Sequence, residues 1–204
     1  MDPKSELQLE VAAAEPEHAS ALLALFDRTG TPCHCQYWHF SGDKNAWLDR
    51  LFHAPEQNRA AFVESLAAAQ GELRGVVALH GGQAVGWLKL CPAERVQKLY
   101  DQRLYRGLPA LAGQREGVLT IGCLLVDEAV RRRGVARALV AQAVVLAKAR
   151  GARCIEAFPR RSEQAGPAEL WTGPFRIFEQ AGFEIISDFA PYPVLRYTVA
   201  GIHS

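Results

Sequence analysis

Three arginines stand in a row at Arg131, Arg132 and Arg133, followed by Gly134, Val135, Ala136 and Arg137. Guanidinium groups make strong, charge-assisted hydrogen bonds to phosphate. Gly134 has no Cβ and Ala136 has the smallest one, so an anion can come close to the backbone there. A nearly continuous apolar run, "GVLTIGCLLVDE" (117–128), precedes the cluster, and a long apolar segment follows it. If that segment is a helix, its first backbone N–H groups lack internal partners and its dipole end is positive. A phosphate placed there collects several bonds at once. The bland alternative is a solvated turn whose arginines bind nothing.

A second constellation is "TPCHCQYWHF" (31–40), with Cys33, His34, Cys35 and His39 inside seven residues. Structural zinc takes two ligand pairs, each with two or more intervening residues. Cys-x-Cys has one intervening residue and no second pair, so no metal is expected. A disulfide between Cys33 and Cys35 is not expected either, because the ring is tight. The third feature is Glu156 in "CIEAFPR" (154–160), where Cys154, Glu156 and Phe158 share one side of a strand. A carboxylate among apolar neighbours has its pKa raised and can serve as a general base. A salt bridge to an arginine is the alternative, and the residues alone do not separate the two.

The elements that position these groups follow from periodicity. Residues 7–14 read as a strand and 16–30 as a helix that starts at Pro16 and stops at Gly30. Helices are predicted near 44–53 and 56–70, the second with Phe62, Leu66 and Ala69 on one side. "LRGVVALHGGQAVGWLKLCP" is a hairpin turned at Gly81-Gly82. Val96, Leu99, Tyr100 and Leu104 make 93–106 an amphipathic helix or a long loop. The run 117–128 is a strand buried on both faces. The helix from about Arg133 to Arg150 is so apolar that it must pack on a sheet. A strand at 154–160, a Gly/Pro-containing loop at 161–173, a short helix at 174–182 and two closing strands complete the chain. Interleaved helices and strands with hairpins at both ends predict an α/β (α+β) fold with a mixed sheet.

The totals narrow the function classes. The 204 residues suit one domain, 1–204, and 49% hydrophobic with 22% charged residues is an ordinary globular composition. A formal net charge of +1 argues against a general nucleic-acid binder, which must neutralise many phosphates. No apolar run approaches membrane-spanning length, and the residues after Met1 lack a charged-then-apolar leader pattern. A cytoplasmic protein is expected, with its five cysteines as thiols.

Arg131-x-x-Gly134-x-Ala136, five residues beyond Val126, resembles the pyrophosphate loop of the GNAT N-acetyltransferase superfamily, [Gln/Arg]-x-x-Gly-x-[Gly/Ala]. The likeness extends over about 70 residues, through "CLLVDEAVRRRGVARALVAQAVVLAKARGARCIEAFP" to "IFEQAGFEII" with its Gly182-Phe183 turn. Segment order agrees along the whole chain. The resemblance implies a mostly antiparallel sheet of six to seven strands flanked by helices. An acceptor-side region would occupy about 1–70 and an acyl-CoA-binding core about 73–200. It implies acetyl-CoA as co-substrate, with its pantetheine along Leu124, Leu125 and Val126 and its phosphates at Arg131, Arg132, Arg133, Gly134, Val135, Ala136 and Arg137. It also implies direct transfer to a primary amine in a ternary complex, with a backbone N–H near Leu124 or Leu125 polarising the thioester carbonyl.

Family members often carry a tyrosine four residues before the glycine of the Gly-Phe turn, as proton donor to the leaving thiolate. Here Phe178 stands at that place, and Cys123, Tyr192 and Thr172 are the alternatives. Glu156 is the first choice of base. The chain also resembles a subset of the superfamily with a Cys-x-Cys-x-Tyr/Trp-Trp segment, matched by Cys33-His34-Cys35-Gln36-Tyr37-Trp38, with Cys123 and Glu156-Ala157-Phe158-Pro159. That region walls the acceptor site in the superfamily, so Tyr37, Trp38 and Trp47 are expected to line an acceptor pocket, or else to cap the core.

The expectation is therefore an N-acetyltransferase of a small-molecule or protein amine, monomeric or homodimeric, binding neither nucleic acid nor membrane. A non-catalytic acyl-CoA-binding module on the same fold is the alternative, favoured by Phe178. Nucleic-acid binding through Arg131–Arg133, Arg137, Arg160 and Arg161 is a third reading, disfavoured by the near-neutral charge.

Overall fold

A computed structural model describes residues 7–68, 73–161, 166 and 170–199. Seven strands form one sheet: β1 (Glu10–Ala13), β2 (Val76–His80), β3 (Gln83–Pro92), β4 (Val118–Val126), β5 (Cys154–Ala157), β6 (Glu184–Ser187) and β7 (Val194–Thr198). Their order is β1-β2-β3-β4-β5-β7-β6. Every neighbouring pair is antiparallel except β4 and β5, which run parallel. The helices are α1 (Ala19–Arg28), α2 (Lys44–His53), α3 (Pro55–Ala67), α4 (Gln97–Tyr100), α5 (Val135–Ala149) and α6 (Phe175–Gln180). The expected mixed, mostly antiparallel sheet flanked by helices is therefore present.

Local chemistry accounts for the elements. Gly81 and Gly82 both have positive φ, 56° and 78°, which a two-residue hairpin turn with the right-handed strand twist requires. Asp43 caps α2 by accepting from the Ala46 amide at 2.8 Å. Pro55 opens α3, where its missing N–H costs nothing. The segment 93–106 folds as a 3₁₀ turn at Ala93–Val96 and one α-turn, not as a long helix. Strand β5 stops at Ala157, before Pro159, which has no N–H for a ladder. Ala69, expected on the α3 face, lies outside the described residues.

The sheet is buried on both sides. On one side Leu139, Val140, Ala143 and Ala147 of α5 pack against β2, β3 and β4 together with Phe178 and Phe183. Gly86 on β3 permits this closeness, because a Cβ there would sit 2.7 Å from Val135 and 3.0 Å from Leu139. On the other side α1 and α3 cover Val77, Trp87 and Cys123 through Leu22, Leu25, Phe26, Phe62 and Leu66. A third cluster, with Tyr100, Tyr105 and Phe158, covers β5 and β7. No described helix is long and apolar enough to cross a membrane.

Candidate functional site

Strand β4 changes character halfway along. Its first half, Val118 to Ile121, pairs in parallel with Cys154 to Ala157 of β5. Beyond Ile121 that pairing ends, while β3 continues on the other side to Val126. The register with β3 also slips: Lys89 faces Cys123 and Leu90 faces Ile121, so Gly122 is one residue too many. This is a β-bulge at the point where the strand leaves its parallel neighbour.

The bulge and the parted strand leave backbone groups that need partners. The Gly122 carbonyl accepts from the Trp38 indole N–H at 2.9 Å. The Asp127 amide donates to the Val85 carbonyl at 2.9 Å. By antiparallel alternation the Leu125 amide also faces β3, while those of Leu124 and Val126 face away from it. Leu124 N–H donates to the Trp171 carbonyl at 2.7 Å. Of the two amides expected near the thioester, only that of Leu124 is turned to the open side of β4.

At its far end β4 runs into the arginine loop. Arg132 has φ 62° and Gly134 φ 86°, so the backbone turns through left-handed positions before α5 begins. No side chain caps this helix, and Ala138 makes its first internal bond, to Gly134. The amides of Val135, Ala136 and Arg137 precede that bond and have no acceptor inside the helix. A Cβ on Gly134 would meet nothing within 4 Å, so its surroundings are open. Arg132, Arg133, Gly134 and Arg137 are exposed. Arg131 is held by Glu128 at 2.7 Å, and Arg28 fixes the strand end through Asp127 at 2.9 Å and the Ala84 carbonyl at 2.7 Å. Uncapped donors, open space and adjoining arginines fit a pyrophosphate.

Glu156 sits elsewhere. It is 3% exposed and pairs across β4 with Thr120, four residues short of Leu124. One oxygen accepts from both Nη2 and Nε of Arg196, at 2.5 and 3.2 Å, and the other from the Tyr100 hydroxyl at 2.7 Å. Thr120 and the Ala110 carbonyl extend this network. Burial, with the carboxylate beside it, pushes the Tyr100 phenol far above its usual range. Of the two expectations for Glu156, base or ion pair, the ion pair is the arrangement found. Both oxygens are engaged on the closed side of the β4–β5 junction.

The aromatic segment reaches the bulge at one end only. Tyr37, Trp38, Trp47 and Phe40 form a chain of ring contacts between 4.7 and 5.3 Å, and the Lys98 ammonium lies 4.5 Å from the Tyr37 ring centre. Trp38 continues it to Trp171 at 5.6 Å and touches Gly122. Trp47 is buried behind Tyr37 and Phe40, where it backs the segment. A surface cavity of about 410 Å³ lies off this chain, lined by Phe26, Thr31, His34, Pro55 and Arg59.

Within "CHC" both His34 and Cys35 adopt left-handed φ, 43° and 54°. The Cys35 thiol accepts from the Trp87 indole at 3.3 Å, which ties this loop to β3. Burial pushes the Cys35 thiol up, and contact with Cys35 pushes Cys33 up. All five cysteines are free, and among the described residues no group of three or more His, Cys, Asp or Glu is placed to hold a metal ion.

Among the proton-donor alternatives, Cys123 flanks Leu124, and buried Thr172 follows Trp171. Tyr192 packs instead into the Tyr105 and Phe158 cluster. Phe178 is fully buried beneath Gly173, whose Cβ would lie 2.9 Å from its ring. Sequence reasoning missed three parts of this site: the bulge at Gly122, the Trp171 carbonyl and Lys89. A lone glycine inside an apolar strand is the recognised signal for the first. The other two depend on contacts between distant segments.

The family model for the Acetyltransferase (GNAT) family matches residues 34–166. No curated protein matches this sequence. Solved structures share the fold. An acetyltransferase of the GNAT family from Streptococcus pneumoniae superposes with a TM-score of 0.55 at 16% identity, covering 95% of this chain and 100% of that one. PaiA N-acetyltransferase from Thermoplasma acidophilum, in complex with coenzyme A, gives 0.54 at 10% identity, covering 94% and 99%. YncA from Salmonella typhimurium, with its cofactor acetyl-CoA, gives 0.55 at 12% identity, covering 97% of each chain. With the family model spanning well over half its length, this chain belongs to the GNAT acetyltransferase family.

Proposed function

We propose that the protein is an acetyl-CoA-dependent N-acetyltransferase that transfers the acyl group directly to a primary amine in a ternary complex. One observation carries this reading: an uncapped, arginine-flanked α5 N-terminus at the end of a strand whose outer half has parted from its neighbour. When bound, acetyl-CoA supplies an activated acyl group. Gly134 and the amides of Val135, Ala136 and Arg137 hold its pyrophosphate, with Arg131, Arg132, Arg133 and Arg137 adding charge. Leu124, Leu125 and Val126 line its pantetheine arm.

The Leu124 N–H then stabilises the charge that develops on the carbonyl oxygen. To do so it exchanges the Trp171 carbonyl for that oxygen. The acceptor nitrogen forms a C–N bond as the C–S bond breaks, the departing thiolate takes a proton from the protein, and the proton shed by the nitrogen restores that donor. Phe178 has none to give, so Cys123 is assigned that role. Glu156, held by Arg196 and Tyr100, keeps its ion pair, and the acceptor enters as the free amine. Trp38, against the bulge, and Tyr37 beside it wall the acceptor side, with Trp47 behind them.

The engaged Leu124 amide favours a second reading, an acyl-CoA-binding module without catalysis. Calorimetric titration with acetyl-CoA and with CoA tests the shared premise. Micromolar binding is expected, weakened at least about a hundredfold by Gly134→Glu, which sets a carboxylate and an unfavourable φ against the phosphates. Absence of binding to the unaltered protein sinks both readings. Release of CoA thiol in the presence of an amine separates the enzyme from the module.

A further inference from the structure

Lys89 has no place in the roles assigned so far. It lies on β3 directly opposite Cys123, one residue from the Leu124 amide, and is 3% exposed. Directly opposed residues of an antiparallel pair share a face. Lys89 therefore projects to the side that carries the segment 31–40, where its chain and Trp38 are both close to Gly122. Its ammonium has no hydrogen-bond or ion-pair partner among the described residues.

A buried charge without a counter-ion is unfavourable, and proteins ordinarily pair it. The groups around Lys89 do not. Cys35 is a protonated thiol, and packing together with the Lys89 charge lowers the His39 imidazole, part of whose surface reaches solvent. Glu156, the buried carboxylate of the neighbouring strand, is already engaged by Arg196. Lys89 thus sets a positive charge at the acceptor side of the bulge, while the amine that must come there has to remain uncharged. Lys89 repels a second ammonium, and it attracts a molecule that carries an anion near its amino group.

We propose that Lys89 is a specificity determinant that receives the anionic substituent of the acceptor, so that the preferred acceptor is a small amino acid-like molecule and not a simple amine or polyamine. The proposal rests on the acyltransferase reading above. A carboxylate close to the amine reaches Lys89 while the nitrogen faces the carbon held at Leu124. A phosphate offers the same charge, and the experiment separates the two.

The protein is incubated with acetyl-CoA and, separately, with the twenty free amino acids, their carboxamides, phosphoethanolamine, and ethanolamine. Mass spectrometry reads N-acetylated products, and the melting temperature with each mixture gives the same contrast without turnover. Acetylation in one anionic arm at least about tenfold above its neutral counterpart is expected, with a matching rise in melting temperature. Lys89→Met should erase that ratio while acetyl-CoA affinity stays within twofold, and Lys89→Arg should keep part of it. Equal use of the acids and their amides, an unchanged ratio in Lys89→Met, or no acetylation of either anionic arm by a protein that binds acetyl-CoA would overturn the proposal. Failure to bind acetyl-CoA would overturn the acyltransferase reading instead.

Discussion

The two ends of the outer half of β4 satisfy the same need by opposite means. At Arg131–Arg137 the helix-start donors are uncapped, the space around Gly134 is open and the side chains of Arg132, Arg133 and Arg137 are exposed. At Gly122–Leu124 the backbone groups are buried and already paired, Gly122 with the Trp38 indole and Leu124 with the Trp171 carbonyl. One end is a socket built from local sequence, and the other is assembled from segments about 50 and 80 positions away. On the proposed reading the phosphates meet uncapped amides at the first end. At the second a ligand must compete with the protein's own groups.

Gly173→Ala strikes hardest at the assembled end. Gly173 has φ 96°, and a Cβ there meets the Phe178 ring at 2.9 Å. Left-handed strain and overpacking together predict a loss of about 2–4 kcal/mol in urea unfolding. The same change displaces the segment that holds Trp171 over Leu124, so amide exchange at Leu124 should quicken. If Leu124 remains as protected as in the parent protein, the Trp171 carbonyl is not what covers it.

Trp38→Phe is milder because it leaves a ring in place and removes one N–H. The Gly122 carbonyl then loses its indole donor, at a cost of about 1–3 kcal/mol if no water replaces it. Stability and turnover should fall together if Trp38 both holds the bulge and walls the acceptor. A fall in stability with unaltered turnover would confine Trp38 to capping the core, the alternative that the sequence left open for these aromatics.

The contrast between the ends also explains what the sequence revealed. The strand, the loop and α5 are contiguous, so their residue pattern marked the elements, and the family resemblance supplied the roles proposed for them. The hairpin followed from Gly81-Gly82, and the mostly antiparallel sheet of six to seven strands was implied by the resemblance. Glu156 was harder, since its partners Tyr100 and Arg196 come from positions 56 residues before and 40 residues after it. Alternation placed it correctly among Cys154 and Phe158 and could not show which arginine would meet it. Lys89 lies within the hairpin segment "GWLKL", and only the register with Cys123 places it beside the bulge. Trp171 acts through its carbonyl, which every residue has, so its identity carried no signal.

The smallest effects test the exposed end. The Arg131–Glu128 pair is surface-accessible, with side chains 36% and 74% exposed, so breaking it should change stability by less than about 1 kcal/mol. Binding is where the two readings of the loop part. If Arg131 serves the phosphates, Glu128 competes for it within the free protein. Glu128→Gln should then tighten acetyl-CoA binding by about two- to fivefold at low salt, and the gain should shrink as salt screens the loop. Arg131→Ala should weaken binding by about tenfold with the same salt dependence. If the pair is only a capped turn, neither substitution moves the affinity. The pyrophosphate would then be held by the α5 amides and the remaining arginines, and the first arginine of the motif would belong to the turn's geometry and not to the ligand.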